Sequence, residues 1–149
     1  MADVHDKATR SYNMSRIKGK DTKPEMLVRK YLHAHGFRYR LHVKDLPGKP
    51  DIVLPKYGTI IDIRGCFWHD HRDCKYGDGV KTASVVVSQK RSAAAIRDDK
   101  NFLLWNKMGW RVIVIWSDCQ LEPKKKKSTI RESTLQNILQ ELLNANTDH

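Results

Sequence analysis

The stretch PDIVLPKYGTIIDIRGC, residues 50–66, decides how the chain is read. Asp51 to Leu54 and Thr59 to Ile63 are short runs rich in β-branched residues, the composition of strands. Upstream, the turn-forming Leu46-Pro47-Gly48-Lys49-Pro50 separates the first run from another strand candidate, Arg38 to Val43. Downstream, the second run passes straight into Gly65-Cys66, where regular structure is expected to end. Residues 66–82 are rich in His, Cys, Asp and Gly and read as a metal-organised loop.

Helices are expected on either side. Asp21-Thr22-Lys23-Pro24-Glu25 combines an N-cap candidate, an early proline and a first-turn acid, announcing a helix to about His35 that Gly36 stops. Met26, Leu27, Tyr31 and Leu32 fall at helical spacing as its buried stripe. Helical character resumes near Ser92 and runs to Met108, with Gly109 as the stop. Trp110 to Trp116 is a nearly continuous apolar run, which predicts a strand buried on both faces. After the lysines at 124–127, a last amphipathic helix of about residues 128–145 turns Ile130, Leu135, Ile138, Leu139 and Leu142 inward. This order argues for an α/β fold, a mixed central sheet flanked by helices, in a single domain over residues 1–149. Residues 1–20 read as a basic, flexible arm carrying Arg10, Arg16, Lys18 and Lys20.

A formal net charge of +11 attracts polyanions and makes nucleic acid the first partner to consider. No stretch reaches the roughly 18–20 apolar residues that span a bilayer, and Met1 to Arg10 is polar rather than signal-like. No membrane partner is expected, and the protein is placed in the cytoplasm. Three cysteines cannot all pair within one chain, so Cys66, Cys74 and Cys119 read as ligands or core thiols.

Three constellations carry chemistry. Cys66-x4-His71-x2-Cys74 has the spacing to wrap one tetrahedral ion, and Cys119 completes a Cys3His shell with no open position, the signature of structural zinc. His69 lies in the same loop and is an alternative ligand to His71. The second constellation is acidic: Asp51 opens one strand and Asp62-Ile63-Arg64 closes the next, so the two carboxylates can meet and suit a hard divalent cation such as Mg2+. A Pro-Asp pair alone is more often a structural turn. The third is Phe67-Trp68, which serves either as packed core or as a wedge between base pairs.

Met1 to Ser11, Asp21-Thr22 with Glu25, Leu46 to Asp51, Gly65-Cys66-Phe67-Trp68-His69, Gly109 to Val112 and Ile115-Trp116 together resemble the very short patch repair endonucleases. The likeness spans most of residues 1–122 in order. It implies a restriction-endonuclease-like fold and a monomer on the bacterial nucleoid. The implied partner is double-stranded DNA with a T:G mismatch left by deamination of 5-methylcytosine, nicked 5′ of the thymine. A mismatch-repair accessory protein is a further candidate partner. By the resemblance, Asp51 binds catalytic Mg2+ with the carbonyl of Ile63, and His69 serves the catalytic centre in acid–base or charge-stabilising work. Glu25 and Asp98 border it, Phe67 and Trp68 form the wedge, and Cys66, His71, Cys74 and Cys119 hold structural zinc.

The chain also departs from that family's pattern. Arg64 stands where the family has a histidine and Asp62 where it has an apolar residue. Arginine is no base at neutral pH but stabilises a phosphate's charge, so Asp62 and Arg64 are expected to rebuild a site with a second metal-binding carboxylate and a neighbouring cation. Residues 80–96 hold no third wedge aromatic, and Lys81, Lys90 and Arg91 are read there as phosphate contacts. Two alternatives stay open: a distorted-DNA-binding protein weakened in catalysis, and a general or site-specific nuclease of the same fold.

Overall fold

The computed structural model describes residues 22–72, 74–77 and 84–147. The arm residues Arg10, Arg16, Lys18 and Lys20, together with Asp21 and Lys81, lie outside them. Helix α1 spans Lys23–Ala34. The Thr22 hydroxyl accepts from the Glu25 amide at 3.4 Å and Pro24 sits in the first turn, where its missing N–H costs nothing. Beyond the His35 cap, Gly36 adopts a φ of 86°, a left-handed conformation open to glycine. The fully buried stripe is Glu25, Val28 and Leu32, while Met26, Leu27 and Tyr31 are only half-buried. The expected stripe was therefore rotated toward the helix's flank.

Strands β1 (Ile52–Leu54), β2 (Thr59–Arg64) and β3 (Arg111–Trp116) form one sheet in the order β1-β2-β3. β1 and β2 are antiparallel, joined through a short 3-10 turn and Gly58. β2 and β3 are parallel, which demands a long crossover. Helix α2 (Val85–Lys107) supplies it. After β3 comes a π turn, Ser117–Leu121, and then helix α3, Lys127–Thr147.

Alternation along the strands sorts the core into two layers. Ile52, Leu54, Ile61, Ile113 and Ile115 pack with Val28 and Leu32 of α1 and Leu135, Ile138 and Leu142 of α3. Val53 and Ile60 face the other way, against Leu46 and Trp105 of α2. The Trp105 indole N–H donates to the Pro47 carbonyl at 2.8 Å, tying α2 to the turn that leads into β1. Asp62 and Arg64 are two and four residues beyond Ile60, so they emerge on the α2 side. That parity places the end of β2 opposite Asp98.

Three expectations are corrected. Arg38 to Val43 forms no strand: only Arg40 bridges to Val53, and His42 then turns left-handed with a φ of 55°, which ends the extension. Helix α2 begins at Val85 rather than near Ser92. The Ser84 hydroxyl accepts from the Val87 amide at 3.2 Å, and this cap outweighs the small helix penalty of the β-branched Val85, Val86 and Val87. β3 is fully buried at Ile113 and Ile115 only, with Val112 and Val114 half-buried on the other face. Among the described residues no helix is long and apolar enough to cross a membrane.

Candidate active site and metal cluster

The β1–β2 register pairs Ile52 with Ile61, which sets Asp51 opposite Asp62 one step outward. Asp51 is held by the backbone: one carboxylate oxygen accepts from the Ile63 amide at 2.8 Å. Burial is the largest cause pushing the Asp51 carboxyl up to about 8. The charges of Asp62 and Glu25, and a carboxyl hydrogen bond with Asp62, push it further against the opposing effect of the Ile63 amide. Three carboxylates thus converge from the residue before β1, from β2 and from the first turn of α1. Hard oxygen donors of which burial, with mutual repulsion, keeps one protonated form the donor set that a divalent cation would relieve.

Arg64 and Asp98 continue the site toward α2. The Arg64 Nε donates to Asp62 at 2.9 Å and lies 3.9 Å from Asp98. Asp98 accepts a 2.6 Å hydrogen bond from His69 Nδ1. With Nδ1–H committed to the carboxylate, Nε2 keeps its lone pair for a proton. His69 itself is fixed by its amide, which donates to the Gly65 carbonyl at 3.1 Å. Glu25, though buried, has Arg29 beside it at 3.5 Å.

Immediately past Gly65 the chemistry turns soft. The ligand atoms of Cys66, His71, Cys74 and Cys119 all lie within 4.8 Å of one another. Of the two histidines that could have joined the thiols, His71 does so, and its ring stacks on Trp116 at 3.8 Å and 7°. Burial pushes the Cys66 thiol up and, aided by the nearby Cys66 and Cys74 sulfurs, takes Cys119 to about 12. Burial also acts on Cys74, but the Tyr76 and Gly77 amides and the neighbouring thiols outweigh it and hold Cys74 below the usual thiol value. Burial lowers His71, keeping the imidazole neutral and able to ligate. Three crowded sulfurs and a neutral imidazole match the donor set of a closed tetrahedral metal site.

Two residues that arrange this cluster were not legible beforehand. Asp118, in the π turn, accepts from the Cys66 amide at 2.8 Å and so links the turn carrying Cys119 to the end of β2. Arg91 was read as a phosphate contact, but it is only 3% exposed and reaches inward. It donates to the carbonyls of Phe67 and Gly77, lies 3.3 Å from Asp70, and stacks over the Phe67 ring at 4.4 Å. Its flanking residues Gln89, Lys90, Ser92 and Ala93 are exposed, so the adjacent sequence did not announce a buried cation. Phe67 in turn meets Trp68 edge-to-face at 5.1 Å, and Trp68 stands 51% exposed. Lys90 is exposed.

Carboxylates gathered at strand ends of a mixed sheet, beside a paired histidine, are the layout of the restriction-endonuclease-like class of proteins, to which this chain belongs. Comparison with known proteins narrows the class. Residues 2–76 match the family model described as DNA mismatch endonuclease Vsr. The type II nicking enzyme V.NmeAIP of Neisseria meningitidis serogroup A is 42% identical over 145 residues, covering 97% of this chain and 99% of that relative. The type II nicking enzyme V.XorIIP of Xanthomonas oryzae pv. oryzae is 41% identical over 121 residues, 81% and 88% of the respective chains. DNA mismatch endonuclease Vsr of Escherichia coli is 37% identical over 126 residues, 85% and 80%. The chain belongs to the Vsr family of DNA mismatch endonucleases. Family membership makes DNA its substrate and an endonuclease its activity.

Proposed function

We propose that this protein nicks one strand of duplex DNA on the 5′ side of the thymine in a T:G mismatch, by Mg2+-dependent hydrolysis of the phosphodiester. The carrying observation is the convergence of Asp51, Asp62 and Glu25 beside the His69–Asp98 pair. Asp51 and Asp62 would hold Mg2+, with the Ile63 carbonyl as a further ligand. When bound, the ion supplies charge neutralisation at the phosphate and acidifies water. His69 Nε2 accepts the proton of the attacking water while Asp98 fixes the imidazole's tautomer and balances the charge it gains. Water's oxygen bonds to phosphorus, the P–O ester bond to the leaving oxygen breaks, and that oxygen takes a proton from bulk water, so the strand ends in a hydroxyl and a phosphate. Glu25 adds negative charge that strengthens the pull on the cation.

The Cys66, His71, Cys74 and Cys119 cluster is assigned to structural zinc, because four protein ligands leave no position for substrate. Its task is to hold Phe67 and Trp68. An exposed tryptophan braced by a phenylalanine that itself rests on a buried arginine is built to push into a base stack, where unstacking is repaid by wider contact. Specificity for T:G over matched DNA follows, since a mismatched step opens more readily.

Named relatives include both type II nicking enzymes and a mismatch endonuclease, so the test sets lesion against sequence. Duplexes differing only in one T:G or T:A pair are incubated with and without Mg2+. Nicking confined to the T:G strand and to Mg2+ is expected. Equal nicking of both duplexes would replace the proposal with a sequence-directed nuclease, and binding without nicking would replace it with a distortion-binding protein.

A further inference from the structure

Arg64 is 8% exposed, and its guanidinium is only partly satisfied. Nε serves Asp62 and approaches Asp98, and the charge lies 5.7 Å from the centroid of the Trp116 ring. Nη2 is buried and has no hydrogen-bond partner among the described residues. A withdrawn N–H of a charged group without an acceptor is unfavourable, and native proteins that retain one do so for a reason such as a catalytic role or a water, ion or ligand that completes it. The register places Arg64 opposite Trp116 at the end of β2, on the face shared with Asp62. The missing acceptor is therefore sought beside Asp62 and Asp98, the carboxylates that Nε approaches.

We propose that Arg64 is a substrate-binding catalytic residue, whose Nη2 donates to a non-bridging oxygen of the phosphate 5′ of the mispaired thymine. This rests on the hydrolytic reading above and deepens it. A guanidinium cannot take a proton from water, but it offers a fixed, directional charge to phosphate. Asp62 takes the Nε donor at 2.9 Å and Asp98 stands 3.9 Å from the same atom, while the Nη2 donors are left for substrate. Because Asp98 lies against both Arg64 and His69, it sets the phosphate donor and the proton acceptor in one frame. The Trp116 ring, stacked on His71, carries that frame to the thiol cluster.

The test is a binding cycle made independent of turnover by placing every protein in an Asp51→Asn background. Affinity is measured for a T:G duplex and for the same duplex with a neutral methylphosphonate at the linkage 5′ of the thymine. The D51N protein is expected to prefer the all-phosphate duplex by roughly 10- to 100-fold, the range of a charge-assisted hydrogen bond. Adding Arg64→Met should reduce the preference to within about twofold, and adding Arg64→Lys should leave an intermediate value. An undiminished preference in the Arg64→Met protein, or no preference in the D51N protein, overturns the assignment. Should the Arg64→Met protein fold poorly, the Arg64→Lys protein decides, with full retention counting against the proposal. Failure of the native protein to nick T:G duplexes would instead strike the hydrolytic reading and leave this cycle's answer standing.

Discussion

The end of β2 separates two clusters that meet the same electrostatic difficulty with opposite chemistry. Before Gly65, the carboxylates of Asp51, Asp62 and Glu25 crowd together, and burial with mutual repulsion lifts Asp51 to about 8. After it, three thiols crowd with His71, and burial with neighbouring sulfurs lifts Cys119 to about 12. Both arrangements are poor without a cation and good with one. Their difference lies in closure. The thiol cluster has four ligands from one loop and one π turn, enough to saturate a soft ion, whereas the carboxylates come from separate elements and leave coordination positions for water and phosphate. One cluster is suited to holding shape and the other to exchanging substrate.

Removing the hard side should separate activity from stability most sharply. Asp51→Asn is expected to lower T:G nicking by roughly a thousandfold or more, the scale of several kcal/mol that a catalytic metal contributes. Its folding should not suffer. A carboxyl whose folded pKa is raised from the ordinary value near 4 to about 8 binds more protons in the folded than in the unfolded state across that window. Its contribution to stability is therefore full below about pH 4 and is lost as pH rises toward about 8. In buffer without Mg2+, the difference in melting temperature between D51N and the native protein should grow in favour of D51N over this range. A native protein equally stable across the window, relative to D51N, would mean that Asp51 is not buried and crowded by carboxylates as placed.

Removing the soft side should reverse the pattern. A chelator that strips the thiol cluster is expected to cost about 3 kcal/mol or more, on the order of 10 °C in melting temperature for a chain of this size. Nicking should fall as a consequence of misplaced Phe67, Trp68 and His69, and zinc should restore both properties together. Metal analysis of the purified protein is the direct check. A metal-free preparation that melts unchanged would remove the cluster from the architecture.

The legible part of this design was local. Turn residues 46–50, the β-branched runs on either side of Gly58, and the Cys66-x4-His71-x2-Cys74 spacing each express their structure within a few residues. The parity of β2 also carries information, since it alone sends Asp62 and Arg64 to the α2 face. What escaped depended on partners distant in sequence. Arg91 looked like a surface cation because its burial is decided by Phe67 and Gly77, 24 and 14 residues away. Asp118 earns its role through an amide 52 residues earlier. The extended reading of residues 38–43 failed because only Arg40 found a ladder partner and His42 turned left-handed, neither of which composition reveals.

Gly77 offers the finest division between the clusters. A methyl group there would collide with the His71 carbonyl and lie 3.1 Å from the Cys66 carbonyl, so two backbone stretches of the thiol loop close directly on this residue. Neither obstacle is a side chain that can swing aside. The Gly77 carbonyl also receives the Arg91 guanidinium, so displacing it disturbs the support beneath Phe67. Gly77→Ala is expected to destabilise the protein by about 1–3 kcal/mol and to weaken zinc retention against a chelator. Asp51, Asp62 and Asp98 are held by β1, β2 and α2 rather than by this loop, so Mg2+ dependence should be unchanged and nicking should drop modestly. A Gly77→Ala protein with native zinc retention but a changed Mg2+ requirement would show that the two clusters are not divided at Gly65.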